Sequence, residues 1–432
     1  MTESVVDDSL QMLATPSRAD AAEYPSLSAE MALERLKAGQ KLERVRISRL
    51  KFEGDFPKGI ELVHVELDRP EFRKATFHGP VVFSRCEVIG LSVHRTPVVF
   101  EQSLAFKSCT LRRPRLDGVE IRGALTLDNS EIYGPLKIHH ATLGSTHAWE
   151  TKFRGWAEFK HCTIAGIADF RSCHVEEGLV LNCSTFKGDL LFRGMTCAKK
   201  LDLTDTTCEG LIDLSKAKLH DYAYLEGVHC GPLTRFAFLN AVADRMQIRP
   251  EQVSGRLMSE AEHRYGDARH EYGLLKASYQ IQHRFDDEDW ALHQFKINQR
   301  RGKPRSWARP WSKLAQLCDL VFLDWGCGYG TKPNRAVTTA IILMALFALI
   351  YAAGIHQFEI SSPPLDHLPK DHWQNRLLFG LLTTVSVFTA GFGGDQLQQA
   401  HGWILLPLAC EAVLGTLLWG LFVVAFSRKV IR

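Results

Sequence analysis

The sequence predicts a β-solenoid, then a helical linker, then a small all-α membrane module. Three observations carry the prediction: an apolar repeat of eleven residues through the first half, two long apolar stretches near the C-terminus, and a shorter apolar stretch that runs into glycines between them. The composition of the 432 residues, 45% hydrophobic and 23% charged, excludes low-complexity and fibrous classes. A net charge of +3 is too mild to argue for a nucleic-acid partner. The apolar residues gather in the last hundred positions, so a wholly soluble protein is not expected either.

Residues 1–43 read as a polar, disordered start followed by a capping helix. The first stretch carries Glu3, Asp7 and Asp8 and has no apolar core, so it is not expected to be a signal peptide. A short amphipathic helix is expected from Ser28 to Lys37, with Ser28 as its cap, Met31, Leu33 and Leu36 as its apolar residues, and Gly39 just past its end. It is placed to cover the open end of the solenoid.

The repeat occupies residues 44–236. Large apolar residues return at Phe159, Phe170, Leu181, Phe192, Leu203, Leu214 and Leu225. Three places after each comes a compact residue, as at Cys162, Cys173, Ser184 and Thr206, and two places later another apolar or thiol side chain, as at Ile164, Val175, Cys197 and Cys208. Gly166, Gly188 and Gly210 follow. Apolar spacings of two and five with glycine at the break fit short extended segments joined by tight corners, not a 3.6-residue period. Two repeats make one coil, giving roughly nine coils stacked about 4.8 Å apart. The cysteines fall on inward positions of this pattern and read as reduced thiols rather than a disulfide framework, with no zinc-like spacing. Phe159-Lys-His-Cys162-Thr-Ile164-Ala-Gly166 resembles the pentapeptide-repeat family in a looser, eleven-residue form, which implies a right-handed β-helix and leaves function open.

Residues 237–310 form a charged linker with helical patterning. Tyr265, Tyr272, Leu275 and Tyr279 lie on one stripe and Trp290, Leu292 and Phe295 on the next, while Asp286, Asp287, Glu288 and Asp289 read as a solvated turn between two helices. Residues 311–335 combine Trp311, Leu314 and Trp325 with nearby arginines and lysines, the pattern of a helix lying in a membrane interface.

Residues 336–356 are an uninterrupted apolar run, close to the ~20 residues that span a bilayer. Residues 402–427 form a second, interrupted by Glu411. Lys332 and Arg335 precede the first span, and Arg428, Lys429 and Arg432 follow the second. The loop between them holds Lys370 and Arg376 against Glu359, Asp366 and Asp371. The positive-inside rule then places both termini and the solenoid in the cytoplasm. Within 375–395, Leu377 to Phe388 is too short to cross and runs into Thr389-Ala390-Gly391-Phe392-Gly393-Gly394-Asp395, the pattern of a re-entrant loop.

Span, short helix, Thr-x-Gly-Phe-Gly, span resembles the pore module of two-transmembrane potassium channels. The glutamate four residues before Gly415 is similar to the inner helix of their bacterial inward-rectifier-like members. The resemblance covers about Lys313 to Arg432 and implies a selectivity filter at Thr389, Ala390, Gly391, Phe392 and Gly393, a homotetramer in the bacterial inner membrane, and potassium, with sodium as the alternative, as the permeating ion. It also implies an interfacial slide helix and a gate hinge at Gly415 or Gly420. Ala390 stands where the family has a larger aliphatic residue, Gly394 where it has aspartate, with Asp395 one place later, and Phe388 where it has threonine.

Glu411 in an apolar helix requires a partner or water. The expected partners are pore-helix hydroxyls such as Thr383, Thr384 or Ser386, or cations in a cavity. No nucleophile–base constellation stands out, so no catalysis and no cofactor are expected. The partners expected are other copies of the chain, the lipid bilayer, and an unidentified protein or ligand at the solenoid. The competing reading is a membrane-tethered scaffold whose solenoid binds a protein and whose pore module does not conduct.

Overall fold

The structure, a computed structural model, describes residues 24–93, 97–303, 328–358, 372–390 and 400–430, together with 320, 324 and 326. The chain forms two compact units, Met1–Met258 and Ser259–Arg432.

In the first unit, helix α1 (Ala29–Lys37) is capped by the Ser28 hydroxyl, which accepts a hydrogen bond from the Met31 amide. Its buried residues are Ala32 and Leu36, and Met31, expected on the apolar face, is exposed instead. The helix packs on the first solenoid turn, as the pattern predicted.

The β-solenoid of residues 42–247 has about nine turns, with every strand pairing in parallel to the strand one turn away. Leu42 pairs with Leu62, an offset of 20 residues (62 − 42), and Thr185 with Thr207, an offset of 22 (207 − 185). Two repeats per turn therefore hold, with turns shortened near the start. Because successive turns repeat in register, like side chains stack into columns. Phe56, Phe77 and Phe100 are fully buried and stack with ring centroids 4.7 and 4.6 Å apart, close to the strand spacing itself.

The compact residues have a second task. The Ser130 hydroxyl donates to the Phe106 carbonyl at 3.1 Å, Ser184 to Phe159 at 3.0 Å and Thr206 to Leu181 at 3.1 Å, each reaching back to the preceding turn. The Cys162 thiol does the same to Ile138 at 3.1 Å. A small donor at this corner fits the space and satisfies a buried carbonyl, which explains why Ser, Thr and Cys alternate there. At the opposite side of the strand path, a Cβ added to Gly188 would lie 2.4 Å from the carbonyl oxygen of Gly166, and one on Gly166 2.8 Å from that of Gly144. Glycine recurs there because backbone meets backbone.

The solenoid ends later than residue 236. The strand Val242–Gln247 adds a further rung on Lys218–Tyr224, with a register shift between Leu219 and Tyr222 that breaks the eleven-residue count. Helix α2 (Pro250–Val253) closes this end, where the Gln252 side chain donates to the carbonyls of Leu225 and Val228 at 3.0 and 2.9 Å.

After the short helix α3 (Met258–Ala261), the second unit begins with a hairpin of α4 (Tyr265–Ile281) and α5 (Phe285–Arg301). Tyr272 meets Trp290 edge to face at 5.5 Å, and Leu275, Tyr279 and Ala291 are buried between the helices. The acidic run is not a solvated turn. Asp286, Asp287 and Glu288 form the first turn of α5, where carboxylates are favoured by the helix dipole, and Glu288 and Asp289 are buried. The turn itself is Gln282 to Arg284.

Among the described residues three apolar helices follow: α6 (Pro333–Ala353), α7 (Trp373–Ala390) and α8 (Leu405–Val430). Asn334–Ala353 and Gly402–Ser427 are long and apolar enough to cross a membrane. Most of the expected interfacial helix of 311–335 lies outside the described residues.

Burial pushes the Cys162 and Cys197 thiols up to about 11 and Cys208 up to about 12, whereas Cys183 sits exposed at a corner. Since the thiolate is the reactive form, iodoacetamide at pH 8 is expected to label Cys183 in the folded protein and to leave Cys162, Cys197 and Cys208 unmodified until denaturant is added. Mass mapping of the labelled peptides checks this, and equal labelling of all four would mean the inward column is not packed.

Candidate functional site

Three helices meet around one carboxyl group. Glu411, in α8, is fully buried, and its two oxygens accept hydrogen bonds from the Tyr351 hydroxyl of α6 and the Thr384 hydroxyl of α7. Tyr351 and Thr384 are themselves fully buried. A carboxyl group removed from water costs several kcal/mol unless its oxygens are satisfied, so these two hydroxyls fix where the three helices cross. Around them pack Phe347, Ile355, Phe379, Ile404, Leu408 and Ala412.

Close backbone contact sets the remaining geometry. A Cβ on Gly380 of α7 would lie 2.2 Å from the Ala348 carbonyl oxygen of α6, and one on Gly415 of α8 would lie 3.0 Å from the Phe388 carbonyl oxygen of α7. Small residues where helices touch allow this approach. Gly420 has open space around its Cα, with nothing within 4 Å of an added Cβ. Of the two expected hinge positions, Gly415 is therefore a packing contact and Gly420 is unobstructed.

The contacts also give the path of α7. Near its start, Phe379 meets Phe358, just beyond the end of α6, at 5.1 Å. Further along, Thr384 meets Glu411, and near the end Phe388 meets Gly415. Helix α7 thus runs alongside α8 in the same direction. Gly415 lies ten residues into α8 (415 − 405), about 15 Å along its axis, so α7 stops part-way down. Yet Ala400 pairs antiparallel with Phe358, and the His401 amide donates to the Gln357 carbonyl at 2.9 Å. The chain therefore returns from the end of α7 to the level at which α6 ended. Helix α7 therefore ends part-way along its neighbour α8.

Helix α7 is longer than the expected short helix. It starts at Trp373, taking in polar Gln374, Asn375 and Arg376, and it continues through Thr389 and Ala390. The two residues expected to open an extended filter are helical, and the Thr389 hydroxyl donates to the Val385 carbonyl at 2.7 Å within its own helix. The physical reason is local: alanine is the best helix former, and after Gly380 the next glycine is Gly391. Gly391, Phe392, Gly393 and Asp395 lie outside the described residues. Ser386 is half-buried on α7, and Glu411 is bonded to Thr384 rather than to it.

Tyr351 was missed in the sequence reading. A tyrosine inside an apolar run carries a hydroxyl that needs a buried partner, and that was the available signal. Beside the lower part of α7, an apolar cleft of about 730 Å³ opens between the helices, lined by Ile341 and Met344 of α6, Val385 and Phe388 of α7, and Thr416 and Phe422 of α8. Among the described residues no group of His, Cys, Asp and Glu could hold a metal ion.

No protein-family model matches the chain, and no curated protein matches it.

Replacing Tyr351 by Phe removes one hydrogen bond to a buried acceptor and is expected to lower stability by about 1–3 kcal/mol. Glu411→Ala leaves two buried hydroxyls and a void and is expected to cost more. Because both side chains share one network, the double variant Tyr351→Phe/Glu411→Gln should fall short of the sum of the single changes. Thermal unfolding in detergent measures all of these, and additive losses would mean the network does not tie the helices together.

Proposed function

We propose that the chain is a subunit of a homotetrameric cation channel, with α6 and α8 crossing a bacterial inner membrane and the solenoid and both termini in the cytoplasm. The observation that carries the reading is the part-way end of α7 along α8. In lipid, a segment that enters part-way and returns leaves backbone groups without regular helical partners, and such a segment survives only where protein or water surrounds it. One chain supplies one such segment. Four arranged about an axis would face each other across water, with the negative ends of their α7 helices toward the ion path.

In this reading Thr389 and Ala390 at the end of α7, together with Gly391 to Gly393, coordinate a dehydrated potassium ion through main-chain oxygens, with sodium as the competing ion. Glu411 stands behind the segment as a fixed support, since its oxygens already accept from Tyr351 and Thr384. Gly420, unobstructed in α8, is the better placed of the two hinge residues. The solenoid regulates the pore by binding a protein or ligand, and the protein acts in transport rather than catalysis.

The helical state of Thr389 and Ala390 favours a second reading, a membrane-tethered scaffold whose pore module does not conduct. Cation flux from liposomes holding the purified full-length protein separates the two. Potassium flux that exceeds sodium flux, disappears in Gly393→Asp and accompanies a tetrameric mass in detergent is the expected result. Equal flux of both ions would retain the channel without selectivity. A monomeric mass with no flux of either ion would leave the scaffold.

A further inference from the structure

The second unit carries another buried polar cluster, away from Glu411. Asp324 is 8% exposed and lies nine residues ahead of Pro333 (333 − 324), the first residue of α6. One of its carboxylate oxygens is 3.0 Å from His293 Nε2, and the other accepts from Arg300 Nη2 at 2.7 Å. His293 and Arg300 are seven residues apart in α5, two helical turns, so both project from one face. Arg300 Nη1 also donates to the Tyr329 hydroxyl at 3.2 Å, and the Tyr329 ring packs against His293 at 6.0 Å. The segment that bears Asp324 and Tyr329 is tied onward to α6, because the Thr339 hydroxyl donates to the Gly326 carbonyl at 3.4 Å. The first turn of the same α5 reaches the far end of α8, with Lys429 Nζ 3.6 Å from Asp286 Oδ1. That outer pair is exposed and weak, whereas the cluster at Asp324 is enclosed.

We propose that Asp324 is an anchor through which α5 holds the start of the first span, so that the C-terminal half of α5, Asp324 and residues 328–335 move as one body. The bonds at Asp324 reach both oxygens of one carboxylate from two side chains of a single helix. A displacement of α5 therefore cannot leave Asp324 behind without stranding a buried carboxylate away from its cationic partner, which is unfavourable. The anchor concerns local mechanics and does not require that the protein conduct. If the channel reading holds, the anchor is the route by which the cytoplasmic hairpin reaches the pore.

His293 adds a dependence on pH. It faces Asp324, Arg300 and Tyr329, with Lys332 and Arg335 nearby. Burial holds the imidazole below its ordinary range, Asp324 opposes this, and Lys332 and Arg335 add to it. A histidine whose pKa is lowered in the folded state contributes stability above its unfolded pKa of about 6.5, and that contribution is lost as the pH falls through the window below it. The anchor should therefore loosen in acid.

Hydrogen exchange of the full chain in lipid nanodiscs tests this without any measurement of flux. Asp324→Asn is expected to accelerate exchange at least about tenfold in both 293–301 and 328–335, while leaving 265–281 unchanged. The swapped pair Asp324→Arg/Arg300→Asp should restore protection in both segments together. Lowering the pH from 7.5 to 5.5, with intrinsic rates corrected, should loosen both in the native chain, and His293→Gln, which keeps the Arg300–Asp324 pair, should flatten that response. Loosening of 328–335 alone, with 293–301 still protected, would overturn the proposal, as would a swapped pair that folds but restores neither segment. Lack of flux with these exchange results intact would count against the channel reading and leave the anchor standing.

Discussion

A polar group shut away from water must be given a partner, and both units of this protein are arranged around that constraint. In the solenoid, each turn buries carbonyl groups at its corners, and hydroxyls and thiols such as Ser130, Ser184, Thr206 and Cys162 reach back one turn to meet them. In the helical unit, Glu411 draws one hydroxyl from each of two neighbouring helices. In both places the apolar side chains supply most of the favourable burial, while the polar partner selects one arrangement among many that would bury similar area. An unmet donor or acceptor costs more than a single bond contributes, so the discrimination comes chiefly from what a wrong register would leave unpaired.

That distinction explains which parts of the fold were legible in the sequence. The solenoid follows from a strict repeat, because stacking in register forces each position to face the same surroundings turn after turn, and the repeat alone places Phe159, Phe170 and Cys162 on their columns. Its end at residue 247 was not legible. The bulge between Leu219 and Tyr222 shifts the count, and buried Ala243 and Met246 do not continue the large-apolar signature. The acidic run at Asp286 was misread for a different reason. Four adjacent carboxylates look like solvent, but a helix N-terminus supplies unpaired amides and a favourable dipole that accept them, and the helix then carries Glu288 and Asp289 into the packed face.

The helical unit was legible in outline because length and polarity alone mark Asn334–Ala353 and Gly402–Ser427 as long and apolar enough to cross a membrane. Its interior was legible only in part. Glu411 announced itself as a charge-bearing residue in an apolar helix, and Thr384 was among the hydroxyls within reach of the expected short helix. Tyr351 is 60 residues away in sequence (411 − 351), and nothing local ties it to Glu411. Gly380 carries no signal beyond its type, although its contact with Ala348 decides how closely α7 and α6 approach.

The part-way end of α7 along α8 follows from these contacts rather than from its length. At 18 residues α7 is about 27 Å long, close to enough to span a bilayer. Taken alone it would pass for a third span. What holds it part-way is that its two ends are fixed by different neighbours: Phe379 near its start against Phe358 at the end of α6, and Phe388 near its end against Gly415, ten residues into α8. The pairing of Phe358 with Ala400 then leaves nine residues (391–399) to bring the chain back to the level at which α6 ended. A helix that ran the full length of α8 would bring Ala390 level with its far end, which the contact of Phe388 with Gly415 forbids. A helix of a length that could cross is thus stopped part-way along α8 by its packing.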